Sequence, residues 1–142
     1  MPKQVSVFIE NRPGKVERVT ELLASADVNI RAITIADSGD FGVLKLLVDD
    51  PERAGKALLE GGLAAALKEV VAIRVPDRPG GLLEVSRILH REEVNVDDAY
   101  GFILQDKREA VFVIQVSEPA AAVAALTKAG LSLLTEEDLY TL

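Results

Sequence analysis

The tripeptide Arg-Pro-Gly occurs twice, at residues 12–14 and 78–80, each time after Asn or Asp and each time ahead of apolar residues at helical spacing. Arg12 and Arg78 lie 66 positions apart in a chain of 142 residues. A sequence that repeats itself at about half its length folds as two copies of one unit. The repeat extends well beyond the tripeptide. Val28-Asn29-Ile30 returns as Val94-Asn95-Val96, and Leu22-Leu23 returns as Ile88-Leu89, at the same offset of 66. Two extra residues near GFILQDKREA then move the offset to 68. There Asp50-Pro51 matches Glu118-Pro119, Leu58 matches Leu126, and Gly62-Leu63 matches Gly130-Leu131. The expected division is therefore 1–69 and 70–142.

Within each copy the apolar period changes from two to about 3.6 and back. Val5, Val7 and Ile9 alternate with Gln4, Ser6, Phe8 and Glu10 as in a strand, and Val71, Ile73 and Val75 repeat the pattern. Val16, Val19, Leu22, Leu23 and Ala26 then take helical spacing, matched by Leu82, Val85, Ile88 and Leu89. Pro13 and Pro79 suit a first helical position, where a missing N–H costs nothing. Strands are expected over 30–35 and 43–48, joined through the turn-forming segment ADSGDFG. Asp50-Pro51 opens a second helix and Gly61-Gly62 closes it, before a short strand near 63–67. The order β-α-β-β-α-β, written twice, predicts an α+β fold of two ferredoxin-like βαββαβ domains, each a four-stranded antiparallel sheet with both helices on one face. The short connection KEVVAIRV predicts that the two domains pair side by side in an extended antiparallel sheet, first strand beside first strand. Phe8, Leu44 and Phe112 are expected on the face away from the helices.

Composition narrows the chemistry. With 49% apolar residues the chain can form a real core, and with no cysteine it has neither disulfides nor thiolates. A net charge of −7, spread over both halves, argues against nucleic acid, which needs clustered Lys and Arg. There is no apolar run of membrane-spanning length and no signal-peptide core, so a cytoplasmic location is expected. Catalytic and metal chemistry find little support. His90, the only histidine, sits near a helix end where the dipole favours it, and its repeat partner is Ala24. Asp97-Asp98 has no further ligand at coordinating spacing. Asp40-Phe41-Gly42 spells a kinase metal-binding triplet, but a turn explains it. No cofactor is expected.

The Arg-Pro-Gly turns carry more. Gly14 and Gly80 open helices whose first N–H groups lack intrahelical partners and suit a carboxylate, and glycine lets a ligand approach the backbone. Asn11 and Asp77 precede the turns, and Asn29 and Asn95 precede the second strands.

Asn11-Arg12-Pro13-Gly14 with Val28-Asn29-Ile30, and Asp77-Arg78-Pro79-Gly80 with Val94-Asn95-Val96, closely resemble the small-molecule-binding ACT domain, over almost the whole chain. The resemblance implies this fold, pairing through sheets, and amino-acid binding at an interface to regulate an enzyme or transporter, without catalysis. It nominates Asn11, Arg12, Pro13, Gly14, Asn29, Ile30, Asp77, Arg78, Pro79, Gly80, Asn95 and Val96 as ligand-binding residues, with Asn11 serving alongside Asn95 and Asp77 alongside Asn29. Ile9 and Val75 stand where a serine-sensing member has His, so serine specificity does not carry over. Asp77 in place of Asn repels a carboxylate and attracts an ammonium, which makes the two sites unequal. An amino-acid ligand, a homodimer and a partner enzyme of amino-acid metabolism are the expected associations. The alternatives are an interaction subunit with a decayed ligand site and an acylphosphatase-like enzyme.

Overall fold

The computed structural model describes residues 1–106 and 108–142. The elements run β1 (Lys3–Glu10), α1 (Lys15–Ser25), β2 (Ile30–Ser38), β3 (Phe41–Val48), α2 (Pro51–Glu60) and β4 (Ala64–Glu69). The second copy follows as β5 (Val71–Pro76), α3 (Gly81–Arg91), β6 (Asp98–Ile103), β7 (Glu109–Gln115), α4 (Pro119–Lys128) and β8 (Ser132–Leu133), with a short α5 (Glu136–Tyr140). Two βαββαβ units therefore stand as expected, with strand orders β2-β3-β1-β4 and β6-β7-β5-β8. One compact unit comprises Lys3–Lys68 with Tyr140–Leu142, and the other Glu69–Leu139 with Met1–Pro2, so each takes in a short segment from the far end of the chain.

The duplication is written into the backbone. Gly14 and Gly80 have φ of +89° and +87°, Asp27 and Glu93 have +57° and +55°, and Gly62 and Gly130 have +84° and +88°. The same left-handed punctuation marks recur at the offsets that the sequence repeats.

Alternation in the strands sends Val5, Val7, Leu44, Leu46 and Val48 to the helices, where they pack with Val19, Leu23, Ala54 and Leu58. Val71, Ile73, Val75 and Ile114 do the same against Val85, Leu89, Ala122 and Leu126. The expectation that Leu44 and Phe112 face away from the helices is corrected by this register. Leu44 is opposite Val7 and fully buried, and Phe112 is opposite Ile73 and packs on the helix-side core. Phe8 does point the other way and is 59% exposed. The other face is not bare, since Gln4, Ser6 and Leu47 in one unit and Ala72, Val111 and Val113 in the other are buried.

Two further expectations are corrected. First strand beside first strand does not occur, because β1 lies between β3 and β4, and β5 between β7 and β8, so both hydrogen-bonding edges of each are taken within its own unit. Pro13 and Pro79 do not begin helices. They lie in the turns before them, and Gly14 and Gly80 are the N-caps, without side-chain cap bonds. Pro51 and Pro119 are the helix-starting prolines, with Asp50 accepting from the Arg53 N–H at 3.1 Å. The segment ADSGDFG shrinks to a two-residue turn, since Ser38 pairs with Phe41, and Gly39 takes φ +78° as the first turn residue of a tight hairpin must.

Candidate functional site

In each unit the first strand ends where the Arg-Pro-Gly turn begins, and the turn delivers the chain into a helix on the sheet's covered face. The first turn is braced from the side. The Asn11 N–H donates to Asp40 O at 2.8 Å, and its side-chain amide donates to Asp37 Oδ1 at 3.3 Å and Gly39 O at 3.0 Å. Both amide hydrogens of Asn11 thus hold the β2–β3 hairpin, leaving its Oδ1 as the group that can still accept. Arg12 pairs with Glu10 at 2.8 Å, and Gly14 N–H lies at an open, exposed helix start.

The second turn is built differently. The Asp77 N–H donates to Arg108 O at 2.8 Å, but its side chain is an acceptor and cannot donate to a hairpin as Asn11 does. Ile103 occupies the place that corresponds to Asp37. The turn is also tighter. The Gly81 N–H reaches Arg78 O at 3.0 Å, whereas the Lys15 N–H reaches Arg12 O at 3.4 Å. A Cβ on Gly81 would lie 2.3 Å from Pro76 O, so only glycine fits this approach. Arg78 pairs with Glu84 at 3.2 Å, both more than half exposed.

Beside this turn opens a hollow of about 450 Å³, to which Asp77, Arg78 and Gly80 contribute one rim. Its lining is mainly apolar, with Val75, Phe112 and Ile103, and the first turn of α3 adds Leu82 and Leu83. Tyr100 also lines it. Burial, and then the charge of Asp98, push its hydroxyl well above the usual phenol range, so it stays protonated at any physiological pH.

Asn29 and Asn95 are elsewhere. β1 and β2 run in the same direction on either side of β3. Glu10 and Ser38 therefore share the row of Phe41, whereas Ile30 pairs with Val48 at the opposite end of the strand. Phe41 and Val48 are seven steps apart along β3, roughly 23 Å of strand at about 3.3 Å per step. Asn11 and Asn29 of one unit thus cannot touch one small molecule. The same register separates Asp77, beside Arg108, from Asn95, ahead of the Asp98–Gln115 pair. Asn95 donates to Asp97 Oδ1 at 3.0 Å and lines a hollow of about 270 Å³ with Ser117 and Glu118, while the Asn29 N–H donates to Asp49 Oδ1 at 2.9 Å. Ile30 and Val96 pack against the two cores. His90 is exposed in the last turn of α3. Among the described residues no group of three or more His, Asp or Glu is placed to hold a metal, and no helix is long and apolar enough to cross a membrane.

The model of the ACT domain pair matches residues 1–142. The chain belongs to the ACT domain pair family. Among solved structures, the pair is similar to protein BT0572 from Bacteroides thetaiotaomicron, at 37% identity over 99% of this chain and 96% of that one, with a TM-score of 0.93. It shares its fold with the ligand-free regulatory subunit of aspartate kinase from Thermus thermophilus, at 17% identity over 89% and 91% of the chains and a TM-score of 0.65. The corresponding subunit from Thermus flavus gives 17%, 90%, 92% and 0.58. No curated protein matches this ACT domain pair.

Reading the sequence alone missed Gly101, Leu83, Ile103 and Phe112 as pocket residues. The signal was present in how the copies differ. At the repeat offsets these positions are Ile35, Glu17, Asp37 and Leu44 in the first unit.

Proposed function

We propose that this ACT domain pair is a non-catalytic regulatory protein that binds an amino acid and passes its occupancy to a separate enzyme of amino-acid metabolism. One observation carries the reading. The Arg-Pro-Gly turn of the second unit brings a carboxylate, a guanidinium and a glycine helix start to the rim of a hollow of about 450 Å³, within the roughly 300–1,000 Å³ typical of small-molecule sites. Opposite charges side by side suit a zwitterion, with Asp77 facing the ammonium and the α3 start or Arg78 facing the carboxylate. A fold shared with an aspartate kinase regulatory subunit is compatible with such a role. Within one unit the Val-Asn segment and the turn are at opposite ends of the sheet, so a small ligand held at the turn does not also reach that unit's own Val-Asn segment.

Thermal unfolding of the full chain with each of the twenty amino acids at millimolar concentration is the test. A ligand at a hundred times its dissociation constant stabilises by about 2.7 kcal/mol. For units of this size that is a rise of several degrees. A midpoint unmoved by every amino acid, but raised by a co-purifying protein, would favour an interaction subunit with a decayed ligand site.

A further inference from the structure

We infer that the second unit's hollow is a specificity pocket for an aliphatic or aromatic side chain, so that this protein responds to an apolar amino acid. The inference rests on the amino-acid reading above and adds the ligand class. It starts from what the two units do with the same space. In the first unit a Cβ on Gly42 would touch Ile35 Cγ2 at 3.7 Å and Ile9 Cγ1 at 3.8 Å, so the Ile35 side chain lies beside Gly42 of β3. In the second unit the corresponding residue is Gly101, paired with Phe112, while Ala110 stands where the first unit has Gly42, and all three line the hollow. The hollow opens where the first unit carries an isoleucine.

Its walls changed with it. Glu17 and Asp37 of the first unit become Leu83 and Ile103, exchanging two charges for two apolar groups, and Leu83 and Ile103 are 51% and 61% exposed. Large apolar side chains held open to water around a preformed cavity gain from a ligand that covers them. The hollow's charged lining groups are Asp77 and Arg78, which complement both ends of a zwitterion. The Asp77 side chain has no amide with which to brace the hairpin as Asn11 does. The Arg78 guanidinium forms a surface pair with Glu84, which costs little to open. A polar side chain on the ligand would leave its donors or acceptors unpaired against Val75, Phe112 and Ile103, which selects against it.

Calorimetric titration of the full chain with L-leucine, L-methionine, L-serine and L-aspartate tests this, together with the variant Leu83→Glu/Ile103→Asp, which writes the first unit's residues into the second. Leucine or methionine should bind at least tenfold more tightly than serine or aspartate, and the double variant should lose about tenfold to a hundredfold in leucine affinity. Should the double variant unfold, Leu83→Glu alone, exposed on the first turn of α3, carries the comparison. Binding of serine or aspartate in preference to leucine would overturn the pocket assignment and leave the amino-acid reading standing. So would leucine binding that both variants leave untouched. Binding of none of the twenty amino acids would remove the functional reading itself, and this inference with it.

Discussion

Replacing Gly81 by Ala should destabilise the second unit, although alanine is the better helix former. Its Cβ would be placed 2.3 Å from the carbonyl oxygen of Pro76, and backbone must retreat by at least 0.7 Å to reach the 3.0 Å below which real contacts essentially never fall. The obstructing atom is backbone at the end of a central strand, hydrogen-bonded through Arg78 N–H at 3.0 Å, so it cannot swing aside as a side chain would. Overpacking of this kind costs about 1–3 kcal/mol. The helix preference of Ala over Gly offsets at most about 1 kcal/mol of it. From the middle of that overpacking range the net loss is about 1–2 kcal/mol, a midpoint lower by roughly 4–16 °C for a unit of this size. The internal control is Lys15→Ala, at the same helix position of the first unit, where a Cβ is already accommodated and only a weak 3.9 Å pairing with Glu10 is lost. That change should stay within about 0.5 kcal/mol. Scanning calorimetry of the two variants against the parent is the assay. If Gly81→Ala unfolded at or above the parental temperature, the close approach of α3 to Pro76 would be wrong, and with it the account of why this turn is tighter than its twin.

Asp50→Ala should cost about 0.5–2 kcal/mol by removing the cap on the Arg53 N–H, whereas Glu118→Ala, at the matching position without a cap bond, should be close to neutral in the same denaturant titration. Hydrogen bonds from the Thr135 N–H and hydroxyl lower the Asp138 pKa, so its contribution is present above the ordinary aspartate range and is lost as pH falls through the depressed folded value; Asp138→Asn should flatten that acid limb of the stability profile. Tyr140→Phe takes away the acceptor of the Lys3 N–H at 2.8 Å and should destabilise by about 1–3 kcal/mol, read by thermal unfolding, with faster hydrogen exchange at Lys3. Asn11→Ala should loosen the β2–β3 hairpin even without ligand, seen as faster exchange of the Asn11 and Gly39 amides.

The strands and main helices were legible because each switches apolar period cleanly and each is written twice. Helix starts were harder. Proline favours a first helical position, yet in both Arg-Pro-Gly turns a left-handed glycine follows it, and the helix cannot begin until that glycine is passed. α5 left a signature, Thr135 and Asp138 three apart, whose side chains and N–H groups bond reciprocally at 3.0 and 3.1 Å. With only five residues it offers no period to recognise. The turn residues of the candidate site could be named from sequence, but the distance between Asn11 and Asn29 could not. That separation follows from two parallel strands flanking a third, a property of the sheet rather than of any local motif. The pocket was hidden for another reason. A repeat displays what the two copies share, whereas the cavity arises where they differ, at Gly101, Leu83 and Ile103.

The assignment of Tyr140–Leu142 to the unit of residues 3–68 sets an order of events during synthesis. Lys3 N–H finds its acceptor on Tyr140, and the Arg31 guanidinium donates to the carbonyl oxygens of Tyr140 and Leu142. Between Lys68 and Tyr140 the ribosome must add 72 residues, which takes roughly 4–14 s at about 5–20 residues per second. For that interval the first-made unit has its sheet and helices but lacks its closing segment, and Arg31 is without those two acceptors. The last-made unit has no such wait, because Met1–Pro2 is already in place when its own strands emerge. The half made first is therefore finished last.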